Sequence, residues 1–256
     1  MRFSLQPCGP ADASDIATVI MTAWNTNWHW RYRWEDLSLE NLIERSTKRF
    51  PWNLVTEREI KRHQKAVDIA TGEVVGYARW LLPPELADKN VWSEAQVAEP
   101  SPKDRELFER DFRESPLPNA KSGEMIAFRA GGLEEAEKRV RVDDPFLSKC
   151  SFRSTEKRIF DVYVVVDFLT VKPAFQRQGV ASLLVKSGCE IADAYHLKAY
   201  VIASPAGLKV YEGQGFKVVE TVSTDYSQFG AVEPYVHHFL VRQPVSPEAQ
   251  APSGST

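Results

Sequence analysis

Gln176-Arg177-Gln178-Gly179 stands between an apolar, β-rich run, VYVVVDFLTV, and an apolar run of helical period, VASLLVKSGCEIADAY. A helix that begins straight after such a turn leaves the N–H groups of its first turn without internal partners, pointing outward at the positive end of the helix dipole. That arrangement is a cradle for an anion, and a diphosphate is its natural guest. Gly179 leaves the backbone open to close approach, Ala181 is small at the same contact, and Arg177 adds a charge-assisted contact to a phosphate. The same glycine would equally ease an ordinary tight turn, so the stretch alone leaves both readings open. The loops GxxxxGKS/T and GxGxxG are absent, as is the hydrolase elbow GxSxG, so the rest of the chemistry must come from elsewhere.

A second unusual stretch is WNTNWHWRYRW, Trp24 to Trp34. Trp28, Trp30, Tyr32 and Trp34 offer ring faces that can grip an aromatic or extended apolar amine, or a cation, or can simply fill a core.

The elements that must position these residues follow from periodicity. Arg2 to Pro7 reads as a short strand. Ala11 to Trp24 reads as a helix with Ile16, Val19, Ile20, Ala23 and Trp24 on one face, and a helical region follows from Ser38 to Arg62. KAVDIATGEVVGYARWLL reads as a hairpin around Thr71-Gly72. From Pro83 to about Arg158 prolines and charged helical stretches mark a large helical insertion, a candidate lid at about 84–158. Ile159 to Val171 is a central strand, Gly179 to His196 a helix, LKAYVIAS a strand buried on both faces, and Ala206 to Gly213 a short helix. Gly215 to Val222 and Tyr235 to Arg242 are further strands, and residues 243–256 have the composition of a disordered tail. With 256 residues, 43% of them hydrophobic, one elaborated α/β domain over residues 1–242 is expected.

The formal charge of −3 gives no basic field for non-specific nucleic-acid binding. Cys8, Cys150 and Cys189 are too scattered for a disulfide framework or a zinc site, so no metal is expected. The N-terminus lacks the apolar core of a secretory signal and no run is long enough to span a membrane, so the expected setting is cytoplasmic, without nucleic-acid or membrane partners.

Gln176-Arg177-Gln178-Gly179-Val180-Ala181 resembles the Arg/Gln-x-x-Gly-x-Gly/Ala signature of the GNAT superfamily of acyl-CoA-dependent N-acetyltransferases, and the flanking DFLTVKPAFQRQGVASLLV resembles that family's central strand and following helix. ASPAGLKVYEGQGFKVV is similar to its later strand, short helix and Tyr-x-x-x-Gly-Phe ending. The resemblance covers about Phe160 to Val222, and its overall look is closest to the small-molecule enzymes common in filamentous fungi. It implies a GNAT fold: a twisted mixed β-sheet with helices on both faces, here carrying the insertion. It also implies transfer of an acetyl group from acetyl-CoA to the amine of a small acceptor by direct attack in a ternary complex. A CoA-binding sensor without turnover, a longer acyl-CoA and a hydroxyl acceptor are the alternatives.

By the same resemblance, main-chain groups of Leu169, Thr170 and Val171 hold the pantetheine arm and the acetyl carbonyl. The amides from Gln176 and Arg177 through Gln178, Gly179, Val180 and Ala181 cradle the pyrophosphate. Ser204 faces the pantetheine where many members have asparagine, which leaves that hydrogen bond in question. Tyr211 takes the place of the tyrosine that protonates the departing thiolate, a role a positioned phenol can fill. The amine must also lose a proton, and Asp167, an acid inside an apolar strand, is the candidate acceptor; it also suits a structural hydrogen-bond acceptor. His237 and His238 are weaker candidates on a strand expected to be a partly exposed edge, and adjacent positions there face opposite sides. Cys189 is expected to be a small core residue. Trp28, Trp30, Tyr32 and Trp34 fall where the family walls its acceptor pocket.

Overall fold

The computed structural model describes residues 1–87, 89–117, 132–140 and 163–245. β1 (Phe3–Pro7), β2 (Lys61–Asp68), β3 (Val74–Leu81), β4 (Val164–Val171), β5 (Ala199–Ala203), β6 (Lys217–Thr224) and β7 (Tyr235–Arg242) form one sheet in the order β1-β2-β3-β4-β5-β7-β6. β4 and β5 run parallel, and the other neighbours are antiparallel. The helices are α1 (Ala13–Trp24), α2 (Trp28–Arg31), α3 (Leu39–Val55), α4 (Pro102–Glu114), α5 (residues 132–140), α6 (Val180–Ala194) and α7 (Leu208–Glu212).

Strand alternation sorts the core into two faces. On one, Ala78, Trp80, Val164, Val166, Val201 and Leu240 pack with Val180, Leu184 and Cys189 of α6 and Tyr211 of α7. On the other, Tyr77 and the flanking Phe168 meet Ile16 and Ile20 of α1 and Leu42 and Leu54 of α3, while Val165, Tyr200 and Phe239 sit beneath Ala136 and Val140 of α5.

Two glycines set how closely α6 lies on β3. A methyl group on Gly188 would come within 2.2 Å of the Trp80 ring, and one on Gly76 within 2.7 Å of Val180. Trp80 is fully buried and has no open side to move toward. Gly188→Ala is therefore expected to overpack the contact, at about 1–3 kcal/mol, and to lower Tm by roughly 2–4 °C for each kcal/mol. Thermal denaturation checks this; an unchanged Tm would mean that α6 slides freely on the sheet.

Several boundaries differ from the sequence expectation. Residues 56–62, read as the end of a helix, form a turn and the start of β2. Glu57 takes a left-handed φ of 52°, and the fully buried Arg62 donates from Nε to Val91 O and from Nη1 to the carbonyls of Arg58, Glu59 and Lys61. β7 is not an edge: the β6–β7 hairpin folds so that β7 pairs with β5, leaving β6 outermost. The start of the insertion is core rather than cover, because Leu86, Val91, Trp92 and Ala95 join the cluster around Trp80. α4 docks on α3, with Arg49 donating to Phe112 O at 2.9 Å and lying over the Phe112 ring. The expected start of β4 at residues 159–162 and the insertion residues 118–131 and 141–158 lie outside the described residues. So do residues 246–256 of the expected tail, while Val245 N is held by Asp193 Oδ1 at 2.7 Å.

Candidate active site

Pro205 shapes the site. It lacks an N–H and biases Ser204 away from helix, so β5 stops at Ala203 while β4 continues. The parallel ladder joins only Val164–Val166 to Ala199–Val201. Beyond it β4 stays bonded to β3, through Phe168 to Arg79, Leu169 to Ala78, Thr170 to Tyr77 and Val171 to Gly76. Lys172 N donates to Val75 O, so by alternation Phe168 and Thr170 also bond toward β3, while Leu169 and Val171 turn their main-chain groups toward the opening. Val171 O is met there by Gln176 Nε2 at 3.2 Å. The result is a wedge between β4 and β5 lined by strand backbone that no strand pairs.

At the foot of β4 lies the quoted turn. Arg177 and Gly179 have φ of 60° and 88°, and Gly179 is the N-cap of α6 with no side-chain cap. The first backbone bond of the helix runs from Leu183 N to Gly179 O at 3.0 Å. The N–H groups from Arg177 to Ser182 donate to no backbone carbonyl among the described residues. A Cβ on Gly179 would meet nothing within 4 Å, so the space in front of those amides is open. Gln176, Arg177 and Gln178 are exposed, while Val180 is buried as the anchor beside Gly76. Gln178 is fixed by its own bond to Ala174 O at 2.9 Å and by Arg2 Nη1, which donates to its Oε1 at 2.6 Å. A cleft of about 410 Å³ lined by Met1, Arg2, Phe3, Gln178, Gly179 and Leu183 adjoins this turn.

Ser204 follows β5 at the mouth of the wedge, its carbonyl accepting from Gly207 N at 3.0 Å at the start of the α7 turn. Tyr211 on α7 is buried, with its ring edge-on to Phe216 at 5.6 Å and against Gly207. Burial pushes the Tyr211 phenol above its ordinary range, so it keeps its proton at neutral pH.

Asp167 occupies a bulge. The β3–β4 register skips between Arg79 and Trp80, which pair with Phe168 and Val166 and leave Asp167 as the extra residue. Its exposed carboxylate accepts through Oδ2 from Arg79 Nε, and the Arg79 guanidinium lies over Phe168 at 5.8 Å. Burial works against the Arg79 charge, but Tyr77 and Asp167 beside it outweigh that and raise its pKa.

The aromatic stretch divides. Trp30 is buried, with Trp34 at 4.5 Å and Trp24 at 6.4 Å, and Trp24 stacks on Phe168 at 5.6 Å, so this group ties α2 to α1 and β4. Trp28, 43% exposed, faces outward with Tyr32 at 5.7 Å, and Tyr32 meets Phe229 at 6.0 Å. His29, between them, stacks on Tyr235 at 4.7 Å, and Tyr235 lies 4.8 Å from His237. α2 thus bridges the two sides of the open sheet. His237 is buried on that face, while His238 points the other way and is 3.2 Å from Thr221 Oγ1. Cys189 is buried, its thiol pushed up to about 12 by desolvation, and packs in the core under α6; Cys150 lies outside the described residues.

The structure therefore brings the main chain of Leu169 and Val171, the turn from Gln176 to Ala181, Ser204 and Asp167 to the open end of β4 and β5, while Thr170, expected beside them, is buried and bonds its main chain to β3 instead. Tyr211 lies on α7 in the same core cluster as Val171 and Ala203. Trp30 and Trp34 belong to the core, and Trp28 and Tyr32 to the surface. Arg79 is the residue that sequence reading missed. Its signal was available: in VVGYARWLL it shares strand parity with Tyr77, a charge on an otherwise packed face that needs an acid opposite. Among the described residues no group of His, Cys, Asp and Glu is placed to hold a metal ion, and no helix is long and apolar enough to cross a membrane.

Residues 153–226 match the family model described as an acetyltransferase (GNAT) domain. No curated protein matches the chain. Among solved structures, a histone acetyltransferase HPA2 and related acetyltransferase from Corynebacterium glutamicum superposes with a TM-score of 0.52 at 16% identity, covering 96% of this chain and 99% of that one. An N-acetyltransferase from Staphylococcus aureus gives a TM-score of 0.49 at 11% identity, with 95% and 99% covered. The mixed seven-stranded sheet, its opening between β4 and β5 and the superposition show that this chain has the GNAT fold, within which residues 153–226 are similar to the GNAT acetyltransferase domain.

Proposed function

We propose that the protein transfers an acetyl group from acetyl-CoA to the amine of a small acceptor by direct attack. The observation that carries this reading is the run of unclaimed N–H groups from Arg177 to Ser182 at the foot of a strand whose outer edge is unpaired. The residues fit acetyl-CoA: the open space a Gly179 Cβ would fill can take phosphate oxygens, and the main-chain groups of Leu169 and the N–H of Val171, whose carbonyl is already met by Gln176, can take amides of an extended arm. Bound there, acetyl-CoA supplies a thioester carbonyl as electrophile and a thiolate as leaving group.

The chain's part is to bind, orient and move protons. The Arg177–Ser182 amides and the α6 dipole hold negative charge. β4 main chain aligns the acyl arm beside the Asp167 bulge. As the amine nitrogen bonds to the carbonyl carbon and the C–S bond breaks, Tyr211 gives its phenolic proton to the sulfur. Asp167, through the oxygen that Arg79 does not occupy, accepts the proton leaving the amine, directly or through water. A cysteine relay is not needed, since the Cys189 thiol is buried in the core and held protonated. The chain's setting in this reading is the cytoplasm, and no metal takes part. The test is release of free CoA thiol from acetyl-CoA with a panel of aliphatic and aromatic amines; the expected result is amine-dependent, saturable release, and no release with any amine would remove the transferase reading.

A further inference from the structure

The Arg79–Asp167 pair carries more information than a proton acceptor requires. Its two groups use one contact between them, Nε to Oδ2, and neither makes another hydrogen bond or ion pair with a described side chain. Their side chains remain 22% and 30% exposed. The guanidinium therefore keeps its Nη edge, a two-pronged donor, and the carboxylate keeps Oδ1, both at the bulge where β4 leaves its parallel ladder. Phe168 forms the floor beneath the guanidinium, and Trp24 stacks against that ring.

From this geometry we infer that the acceptor is a zwitterion, a primary amine with a carboxylate close by, as in an α-amino acid. The inference rests on the transferase reading above. The pair is neutral as a whole, so a simple ammonium gains from Asp167 and is opposed by Arg79. A zwitterion completes an alternating ring: the acceptor carboxylate on the Nη fork of Arg79, and the acceptor ammonium on Asp167 Oδ1. The same placement sets the nitrogen beside the group that takes its proton and next to the strand that holds the acyl arm. Arg79 is then the residue that selects the acceptor, and Asp167 the residue that touches its nitrogen.

The experiment compares matched pairs, phenylalanine with phenethylamine and tyrosine with tyramine, as acceptors for the full-length protein in the thiol-release assay. The wild type should favour the amino acid in kcat/KM by roughly 10- to 100-fold, the worth of one charge-assisted pair. Arg79→Gln should erase that ratio, raising KM for the amino acid and lowering it for the simple amine that Arg79 no longer opposes, with acetyl-CoA affinity unchanged, and Arg79→Lys should restore part of it. Calorimetric titration of phenylalanine into the CoA-bound protein gives a readout apart from turnover: binding in wild type, weakened in Arg79→Gln. Equal use of both members of each pair, or an equal loss on both in Arg79→Gln, overturns the zwitterion and leaves the transferase standing. No binding of acetyl-CoA, or no thiol release with any acceptor, overturns both.

Discussion

Gly179→Glu is expected to weaken acetyl-CoA binding by at least about 100-fold while the protein stays folded. Two separate features of the turn support that combination. Sterically the unliganded protein tolerates a side chain, since a Cβ at this position meets nothing within 4 Å. Its φ of 88° costs a non-glycine residue roughly 1–2 kcal/mol, which a domain of this size survives. The ligand does not tolerate the change: the new side chain projects into the space that the Arg177–Ser182 amides face, and its carboxylate satisfies those amides in place of a phosphate. Losing even two charge-assisted bonds of about 1.5 kcal/mol each exceeds the roughly 2.7 kcal/mol that a 100-fold change requires. Titration calorimetry with circular dichroism as a fold control is the check, and Gly179→Ala separates the two effects, because it carries the strain without the charge. Wild-type affinity in Gly179→Glu would mean that the turn is only a turn.

Tyr211→Phe is expected to lower turnover roughly 100-fold or more with acetyl-CoA affinity changed less than about threefold. The ring is buried and packed edge-on against Phe216, and phenylalanine fills the same volume, so the variant removes the proton and little else. The pH behaviour follows from the direction of the shift. Burial raises the Tyr211 pKa, so the phenol remains protonated across neutral and mildly alkaline pH, and the wild-type rate should show no alkaline loss from this group below about pH 10. Steady-state kinetics with both substrates decides it. Unchanged kcat would return Tyr211 to the core as a packing residue.

The parts of the site legible in the sequence are those that local chemistry dictates. Gly179 between two apolar runs marked the strand-to-helix turn because an αL position before a helix strongly favours glycine, and the ligand proposed for it comes from the resemblance to a known signature. The parts that were not legible depend on register. Whether Asp167 faces solvent or core turns on one bulged residue opposite Arg79–Trp80, which alternation along β4 cannot reveal. Its partner Arg79 lies 88 residues away in the chain and is found only once β3 and β4 are paired. Trp24 to Trp34 was ambiguous for a related reason: ring-rich composition does not say which rings a four-residue helix turns inward, and Trp30 and Trp28 took opposite sides. His237 and His238 looked like edge residues because a last strand often is one, whereas hairpin reversal placed β7 inside the sheet.

Amide hydrogen exchange with and without CoA tests the central claim most directly, because it reads the backbone groups that the account assigns to the ligand. Exchange at Arg177 to Ser182, and at Leu169 and Val171, should be fast without CoA and slow when it is bound, with little change at the α1–α3 contact on the opposite face. Protection confined to other segments, or none at saturating CoA, would contradict the assignment of acetyl-CoA to this wedge.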